Sequence, residues 1–396
     1  MNVVFISPQF PEVYWQFCKA LSRNGATVLG IGDTPYDQIS GELKGALAEY
    51  YWLPNLEDYD QVFRAVAFFS FKYGKIDWLE SNNEYWLAQD ARLREDFHIT
   101  SGAMPATMAA WQSKAGMKPL YAAAGVPTAR QVRLTGLETA RDFVAEVGYP
   151  AFAKPEVGMG SAGARKIESD EQLVALVEAA GEDPYVLEEF VGGSICSYDA
   201  VVNSKGEVLF ENQEEFPPSM ADVASLGLDM WYCSLPSVDP RLAALGRAAV
   251  RGFGITSRFV HMEFFRLDRD KPGLGGAGDY VGLEVNVRPP GGYTPEMLNY
   301  AHSVNVYQIW ADMVCFDSTR VRPAAPECFC AFASRRDGRA YAHTHEEVLA
   351  RFGEAVVAAE RVPDALSDDL GNFGYTVRLG TREEVDAFVA FVHERA

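Results

Sequence analysis

A chain of 396 residues, 48% hydrophobic and 23% charged, has the size and composition of a globular protein with two or three packed domains. Its formal charge of −20 argues against nucleic acid or an anionic membrane as the main partner. Any phosphate ligand must therefore be held by local cations and backbone amides. The six scattered cysteines (Cys18, Cys196, Cys233, Cys315, Cys328 and Cys330) form neither a zinc spacing nor a disulfide framework, which fits a reducing cytosol. No apolar run is long enough to span a bilayer, and Met1-Asn2-Val3-Val4-Phe5-Ile6-Ser7-Pro8 lacks the basic start of a signal peptide. A cytoplasmic location is expected.

Residues 1–100 alternate strand and helix. Strands are expected at Val3–Ser7, Thr27–Ile31, Glu49–Leu53 and Ile76–Glu80, and helices at Tyr14–Ser22, Tyr59–Tyr73 and Glu84–Phe97. That order implies a parallel, doubly wound sheet. The first strand runs into Ser7-Pro8-Gln9-Phe10-Pro11 rather than G-x-G-x-x-G, so a dinucleotide site is rejected. Trp78-Leu79-Glu80-Ser81-Asn82-Asn83-Glu84 leaves the fourth strand where such sheets place functional loops, and serves equally well as a turn and helix cap.

Helical linkers follow over 101–127, closed by Gly125-Val126-Pro127. A small α/β unit over 128–188 has strands near Arg130–Leu134, Ala151–Lys154, Ala164–Ile167 and Tyr185–Glu188, with helices Glu138–Val147 and Asp170–Ala180. A mixed sheet is expected from 195 to about 290, including a strand at Val201–Phe210, and then a long helix near Pro295–Val314. The tail reads as strand Cys328–Ser334, helix Glu346–Ala358, strand Gly374–Leu379 and helix Glu383–His393.

The most informative pattern lies in two strands joined by a Gly-rich turn, Gly273 to Asp279. The first carries His261 and Glu263 on one face; the second carries Glu284, Asn286 and Arg288 on one face, with Val285 and Val287 on the other. Two carboxylates and an amide oxygen on adjacent strands form a hard-oxygen site suited to Mg²⁺ beside a polyphosphate. Arg288 ends that row with a planar fork for an anion. Upstream, Lys154 ends a strand that leads into Gly158-Met159-Gly160-Ser161-Ala162-Gly163, whose glycines let amides approach oxygens; no Walker Gly-Lys-Ser/Thr follows. Lys114 opens a helix. Glu188 ends an apolar strand before Glu189-Phe190-Val191-Gly192-Gly193, where an acid and free backbone suit an adenine. Each of these upstream motifs is weak alone.

Together, in this order and spacing, they resemble the ATP-grasp superfamily, whose two α+β lobes hold ATP between them. The resemblance covers the full chain. It implies an ATP-grasp fold of the α/β and α+β classes: a preceding parallel α/β domain (1–100), the linker (101–127), a small mobile lid (128–188), and a large mixed-sheet lobe with a C-terminal α/β extension (189–396). It also implies roles. Lys114 and Lys154 match the phosphate-binding lysines, and Gly158, Gly160, Ser161 and Gly163 the lid's glycine-rich loop. Glu188 matches the adenine acid, with Glu189 and Val191 as hinge backbone. Glu263, Glu284 and Asn286 match ligands of two Mg²⁺ ions, for which Mn²⁺ is a possible substitute, and Arg288 matches the arginine facing an acyl phosphate. All seven of the side chains so matched are of the expected types.

Arg288-Pro289-Pro290-Gly291-Gly292-Tyr293 and Val260-His261-Met262-Glu263 are further similar to L-amino-acid ligases that make dipeptides. That resemblance implies an ADP-forming carboxylate–amine ligase, with Arg288, Lys154 and His261 in catalysis. Substrate would be held by Arg288, Gly291, Gly292, Tyr293 and Trp231, the last in a stretch over 212–232 that suits a pocket or a long edge hairpin. The implied partners are a small carboxylate and an amine, with a homodimer possible. Biotin carboxylase is a rival, but its catalytic Glu four residues after the Arg is here Gly292. A nucleotide-binding sensor without turnover is the rival of a different class. His261 is equally compatible with a hydrogen-bonded interior histidine, and His343-Thr344-His345-Glu346 reads as a helix start capped by Thr344 rather than a metal motif.

Overall fold

The structure is a computed structural model and describes the whole chain except residues 159–162, 182, 218–222 and 224–226. Gly160 and Ser161 of the glycine-rich loop lie outside the described residues.

The N-terminal unit is a four-stranded sheet of β1 (Asn2–Ile6), β2 (Thr27–Gly32), β3 (Glu49–Trp52) and β4 (Trp78–Glu80), in the order β3-β2-β1-β4. All its pairs are parallel, as the alternation of strand and helix requires. Period-two alternation sends Val3 and Phe5 to one core and Val4 and Ile6 to the other. The first core is shared with the large lobe: Phe17 meets Tyr307 and Trp310 with ring centroids 4.7 and 5.0 Å apart. Burying such aromatics in common joins the two units by apolar area as well as by chain.

Two linker helices, Pro105–Gln112 and Lys114–Ala124, lead out of this unit, the second ending at Gly125 with φ +68°. The small unit follows, with β5 (Gln131–Arg133), β6 (Ala151–Pro155), β7 (Arg165–Ile167) and β8 (Tyr185–Glu189) in the antiparallel order β5-β8-β6-β7. Helices Leu137–Val147 and Asp170–Ala180 cover one face, packing Phe143 and Leu176 on Ala151, Ala153 and Leu187.

The large lobe is an eight-stranded sheet of β9 (Gly193–Val202), β10 (Val208–Phe216), β11 (Trp231–Ser234), β12 (Arg258–Leu267), β13 (Tyr280–Asn286), β14 (Phe329–Arg335), β15 (Val356–Arg361) and β16 (Phe373–Leu379). Its order is β13-β12-β9-β10-β11-β14-β16-β15. The sheet was expected to be mixed, yet each of its described pairs is antiparallel. The tail does not stand apart: β14 pairs with β11 and carries β16 and β15 into the same sheet.

Three expected elements differ. Val201–Phe210 is a hairpin, because the Asn203 side chain accepts the amides of Lys205 and Glu207 and Gly206 takes φ +75°. Residues 212–216 thereby fall inside β10. The long helix is two, Thr294–His302 and Val306–Phe316: Ser303 takes φ +51° and Asn305 caps the second through Gln308. Helix His345–Phe352 stops at Gly353, and the residues from Val356 form the edge strand β15. Thr344 does start that helix, in a capping box with Glu347. Among the described residues no helix is long and apolar enough to cross a membrane.

Candidate active site

Strand register, rather than any one motif, assembles the site. Residues directly opposite on antiparallel strands share a face. One row across β13, β12, β9 and β10 therefore reads Asn286, His261, Asp199, Asn212. The next reads Glu284, Glu263, Ser197, Glu214, and continues to Ser234 on β11.

At the β12–β13 end the rows open to a cleft; at the β9–β10 end they are closed over. Asp199, fully buried, accepts from His261 Nδ1 at 2.6 Å, from Ser197 at 2.8 Å and from Asn212 at 3.1 Å. The other ring nitrogen of His261 lies 3.4 Å from Glu263. Burial alone would lower the His261 pKa, but Asp199 and then Glu263 hold it up at about 9, so the ring is an imidazolium at neutral pH. Its positive charge keeps Glu263 ionised: burial works to raise that carboxyl, and His261, Arg288 and Lys154 more than offset it. Glu284 moves the other way, raised by burial and by the charge of Glu263 against the pull of Lys114 and Lys154. A facing carboxylate pair whose mutual repulsion shows in one member fits a divalent cation, with the Asn286 amide as a third oxygen. Among the described residues no three His, Cys, Asp or Glu side chains converge on one point; the donor set is two carboxylates and an amide.

The cations come from the linker and the small unit. Ser113 caps helix Lys114–Ala124 by accepting the Gly116 amide at 2.9 Å, which fixes Lys114 at the first helical position. The Lys114 ammonium lies 3.3 Å from Glu284 and donates to the Gly158 carbonyl at 3.3 Å. One turn on, Lys118 meets Glu188 at 2.8 Å, and Lys154 from β6 meets the other oxygen of Glu188 at 2.7 Å. Gln131 also donates to Glu188, at 2.8 Å. Burial would raise the Glu188 carboxyl, but Lys154 and Lys118 bring it below its ordinary value. Glu189 is tied to Arg130 at 2.8 Å and its amide donates to the Arg130 carbonyl, so it braces the strand end rather than offering a free group. Val191 is buried among Ala129, Leu267 and Val281. Gly163 is exposed with φ +74°.

Arg288 leaves β13 toward the N-terminal unit. Its Nη1 donates to the Pro289 carbonyl at 2.9 Å, and its Nε lies 3.3 Å from Glu84, which also accepts from Gln112 at 3.1 Å. A cavity of about 210 Å³ opens here, lined by Glu84, Tyr85, Gln112, Gly158, Glu284 and Asn286 among others. Beyond Arg288, Gly292 takes φ +58°, and a Cβ there would come within 3.2 Å of the Tyr232 hydroxyl and Leu370. The Tyr293 amide donates to Tyr232 and the Thr294 amide to the Gly291 carbonyl. These two helix-start amides are internally satisfied.

Comparison with known proteins bears on the same regions. Residues 113–188 match the family model for the carbamoyl-phosphate synthase L chain, ATP binding domain. The structure is similar to the L-amino acid ligase from Bacillus licheniformis, with TM-score 0.70 at 16% identity, covering 98% of this chain and 95% of that one. It is similar also to N5-carboxyaminoimidazole ribonucleotide synthetase from Thermotoga maritima, with TM-score 0.68 at 16% identity over 99% and 98% of the two chains. The chain has the ATP-grasp fold. Among curated relatives, the alanine–anticapsin ligase of Bacillus subtilis is 22% identical over 290 residues, 66% of this chain and 58% of the relative. A D-alanine–D-alanine ligase of Aromatoleum aromaticum is 38% identical over 96 residues, 24% of this chain and 30% of that protein.

Of the residues expected at the ATP-grasp site, Lys114, Lys154, Gly158, Glu188, Glu263, Glu284, Asn286 and Arg288 surround one cleft. His261 lies behind Glu263 and acts on it. Trp231 does not belong there: it packs with Cys233, Val348 and Phe388 on the far face of β11. Alternation turns its neighbour Tyr232 to the Gly292–Tyr293 turn instead. Sequence reasoning missed Lys118, Gln131, Ser197, Asp199, Asn212 and Glu214. The signal for the last four was polar alternation in Ser197-Tyr198-Asp199 and Asn212-Gln213-Glu214.

Two outcomes are expected. Trp231→Ala should lower stability by up to about 3 kcal/mol through lost packing while leaving ligand preference unchanged; a broadened preference without loss of stability contradicts the placement. Glu214, fully buried between Ser234 and Thr294 hydroxyls at 3.0 and 2.9 Å, has its pKa raised to about 8 by burial and then by Asp199. A carboxyl raised on folding contributes stability that is fully present below its unfolded pKa and lost as pH rises through the folded value. Glu214→Gln, which cannot ionise, should therefore gain stability relative to the native chain between pH 5 and about pH 8. Melting curves whose difference is flat over that range refute the assignment.

Proposed function

We propose that this protein is an ATP-dependent, ADP-forming ligase that joins a small carboxylate, an amino acid above all, to an amine through an acyl phosphate. The observation that carries the reading is the register of Glu263 against Glu284, with Asn286 following on the same strand face and Arg288 just beyond the strand's end. Three of the compared proteins are named as ligases of alanine or of L-amino acids, which supports the same class.

In this reading ATP lies between the small unit and the large sheet, with its phosphates at Lys114 and Lys154 and the adenine near Glu188 to Val191. Lys154 leaves Glu188 for phosphate, and Lys118 stays to balance that carboxylate. Glu263, Glu284 and Asn286 hold Mg²⁺, which supplies charge neutralisation for phosphoryl transfer when bound. A substrate carboxylate oxygen attacks the γ-phosphorus, the bond to the β-phosphate oxygen breaks, and ADP leaves. The amine nitrogen then attacks the acyl carbon, and the carbon–oxygen bond breaks to release phosphate. Arg288 fits the oxyanion and departing phosphate, having a planar fork that Lys lacks. Glu84 beside it sets a carboxylate against the Arg288 guanidinium, a pair of opposite charges that suits the ammonium and carboxylate of an α-amino acid. Closure of the 128–188 unit would keep water from the acyl phosphate. Gly292 stands where a carboxylase of this fold has its base, and the next carboxylate on that helix, Glu296, is bound by Gln16 and Tyr307. The six free cysteines fit a reducing, cytoplasmic setting.

Incubation with ATP, Mg²⁺ and an amino-acid pool, followed by mass spectrometry, should reveal a dipeptide or other amide with matching ADP and phosphate. Phosphate release that requires bicarbonate instead points to a carboxylase, and ATP binding without release to a sensor. Glu284→Gln should slow turnover by roughly a hundred-fold or more, because an amide cannot neutralise the cation. Near-normal synthesis by that variant removes the metal assignment.

A further inference from the structure

A buried ionic chain connects the N-terminal sheet to the strand end that carries Arg288. Glu80 ends β4 and Arg258 begins β12, and each is 2% exposed. Arg258 Nη1 lies 2.9 Å from one Glu80 oxygen, and its Nη2 donates to the other at 3.1 Å. The third guanidinium nitrogen, Nε, donates to the Val287 carbonyl at 2.8 Å. Val287 immediately precedes Arg288.

That last bond stands in for a missing strand partner. The β12–β13 ladder ends at the pair His261 and Asn286. Two residues after Val287 come Pro289 and Pro290, which have no amide to donate and cannot continue a ladder. The backbone from Val287 to Arg288 therefore leaves the sheet and is fixed there by the Arg258 side chain. The planar fork fixes direction as well as distance, since both oxygens of Glu80 are engaged. Glu80 is itself held: it accepts the Ser81 and Asn82 amides at 3.3 and 3.4 Å, and Arg94 lies 3.8 Å away. Ser81 is anchored in turn by Asp90, through its amide at 2.9 Å and hydroxyl at 2.6 Å. Four residues along the same loop, Glu84 meets the Arg288 guanidinium directly. The loop after β4 thus reaches Arg288 from two sides, its backbone through Arg258 and its side chain through Glu84.

We propose that Glu80, acting through Arg258, is a positioning residue that sets Arg288 at the acyl-transfer site. This rests on the ligase reading for what Arg288 does, but the coupling itself is independent of it. A buried pair of this kind adds little net stability over an apolar contact, while loss of one partner strands the other. Its effect here is geometric.

The test uses the full chain. Glu80→Gln keeps the shape and removes the charge; Arg258→Lys keeps the charge and loses the fork and the Val287 bond. In folded variants, verified by melting below which all assays run, amide formation at saturating ATP should fall ten-fold or more while the KM for ATP stays within about two-fold. The double variant should be little slower than Arg258→Lys alone, since both act on one chain. The Nε–H resonance of Arg288, assigned by its loss in Arg288→Lys, should move in Glu80→Gln. An unmoved resonance with unchanged kcat overturns the proposal, as does an equal rise in ATP KM, which marks general loosening of the lobes. If the native protein makes no amide from any pool, the ligase reading fails, and the resonance alone decides the coupling. Should Glu80→Gln not fold, Arg258→Lys and Glu80→Asp carry the same comparison.

Discussion

The buried pair of Asp199 and His261 is the contact on which the site depends. An eight-stranded antiparallel sheet buries its face most cheaply with apolar side chains, yet here two adjacent rows are polar across four strands. A row of carboxylates in that setting carries a heavy desolvation cost unless each has a partner. His261 resolves it with one ring, bonding Asp199 on the closed side and facing Glu263 on the open side. Asp199 is further satisfied by Ser197 and Asn212, and Asn212 passes the chain on to His302 at 2.8 Å. Glu263 consequently stays ionised and fixed in direction, while Glu284, lacking such a partner on the sheet, looks to Lys114. The two carboxylates that face each other are thus made unequal by what lies behind them.

The same reasoning explains how a chain of formal charge −20 can present a site for a polyanion. Lys114, Lys118, Lys154 and Arg288 are each matched with a carboxylate, respectively Glu284, Glu188, Glu188 again, and Glu84. Paired in this way, the cations can be half-buried or buried without a large penalty, and a phosphate or carboxylate ligand exchanges one anionic partner for another. Lys118 matters to that exchange: without it, release of Lys154 would leave Glu188 buried with only the Gln131 amide. Pairing of local charges outweighs the overall field because, near the protein surface, a contact at 3 Å is far stronger than screened charges a Debye length away.

Sequence alone conveyed the architecture well where periodicity was clean. The parallel N-terminal sheet followed from the alternation of strands and helices, although the helix Gly41–Ala46 between β2 and β3 was not read, and the β12–β13 pair followed from alternation of side chains around a Gly-rich turn. It failed where a polar run meant burial. Asn212-Gln213-Glu214 reads as the start of a pocket or an edge hairpin because three polar residues in succession are usually solvated, but on β10 they pair with Asp199 to Ser197 and are closed over by Thr294 and Ser234. Ser303 escaped notice for a related reason. A left-handed turn at a non-glycine residue has little local signature, so two helices looked like one. Trp231 was misplaced because a large aromatic near a candidate pocket fits either face of a strand, and only register decides which.

What remains is why the N-terminal unit matters to a site whose lysines and sheet carboxylates all lie elsewhere. Its first helix shares an aromatic core with the large lobe through Phe17, Tyr307 and Trp310, so the two units are packed as one body on that side. From this fixed base, the end of β4 and the loop after it bring Glu80 and Glu84 to the point where β13 loses its ladder. The prolines after Arg288 prevent the sheet from ordering that segment by itself, and at the left-handed Gly292 beyond them a Cβ would press within 3.2 Å of Tyr232 and Leu370. The Arg288 turn is therefore held by side chains from three directions: Arg258 behind it, Glu84 beside it and Tyr232 beneath the glycines. A segment defined by side chains rather than by a ladder can be specific in position without being continuous with the sheet, and that places the arginine at the junction of both units.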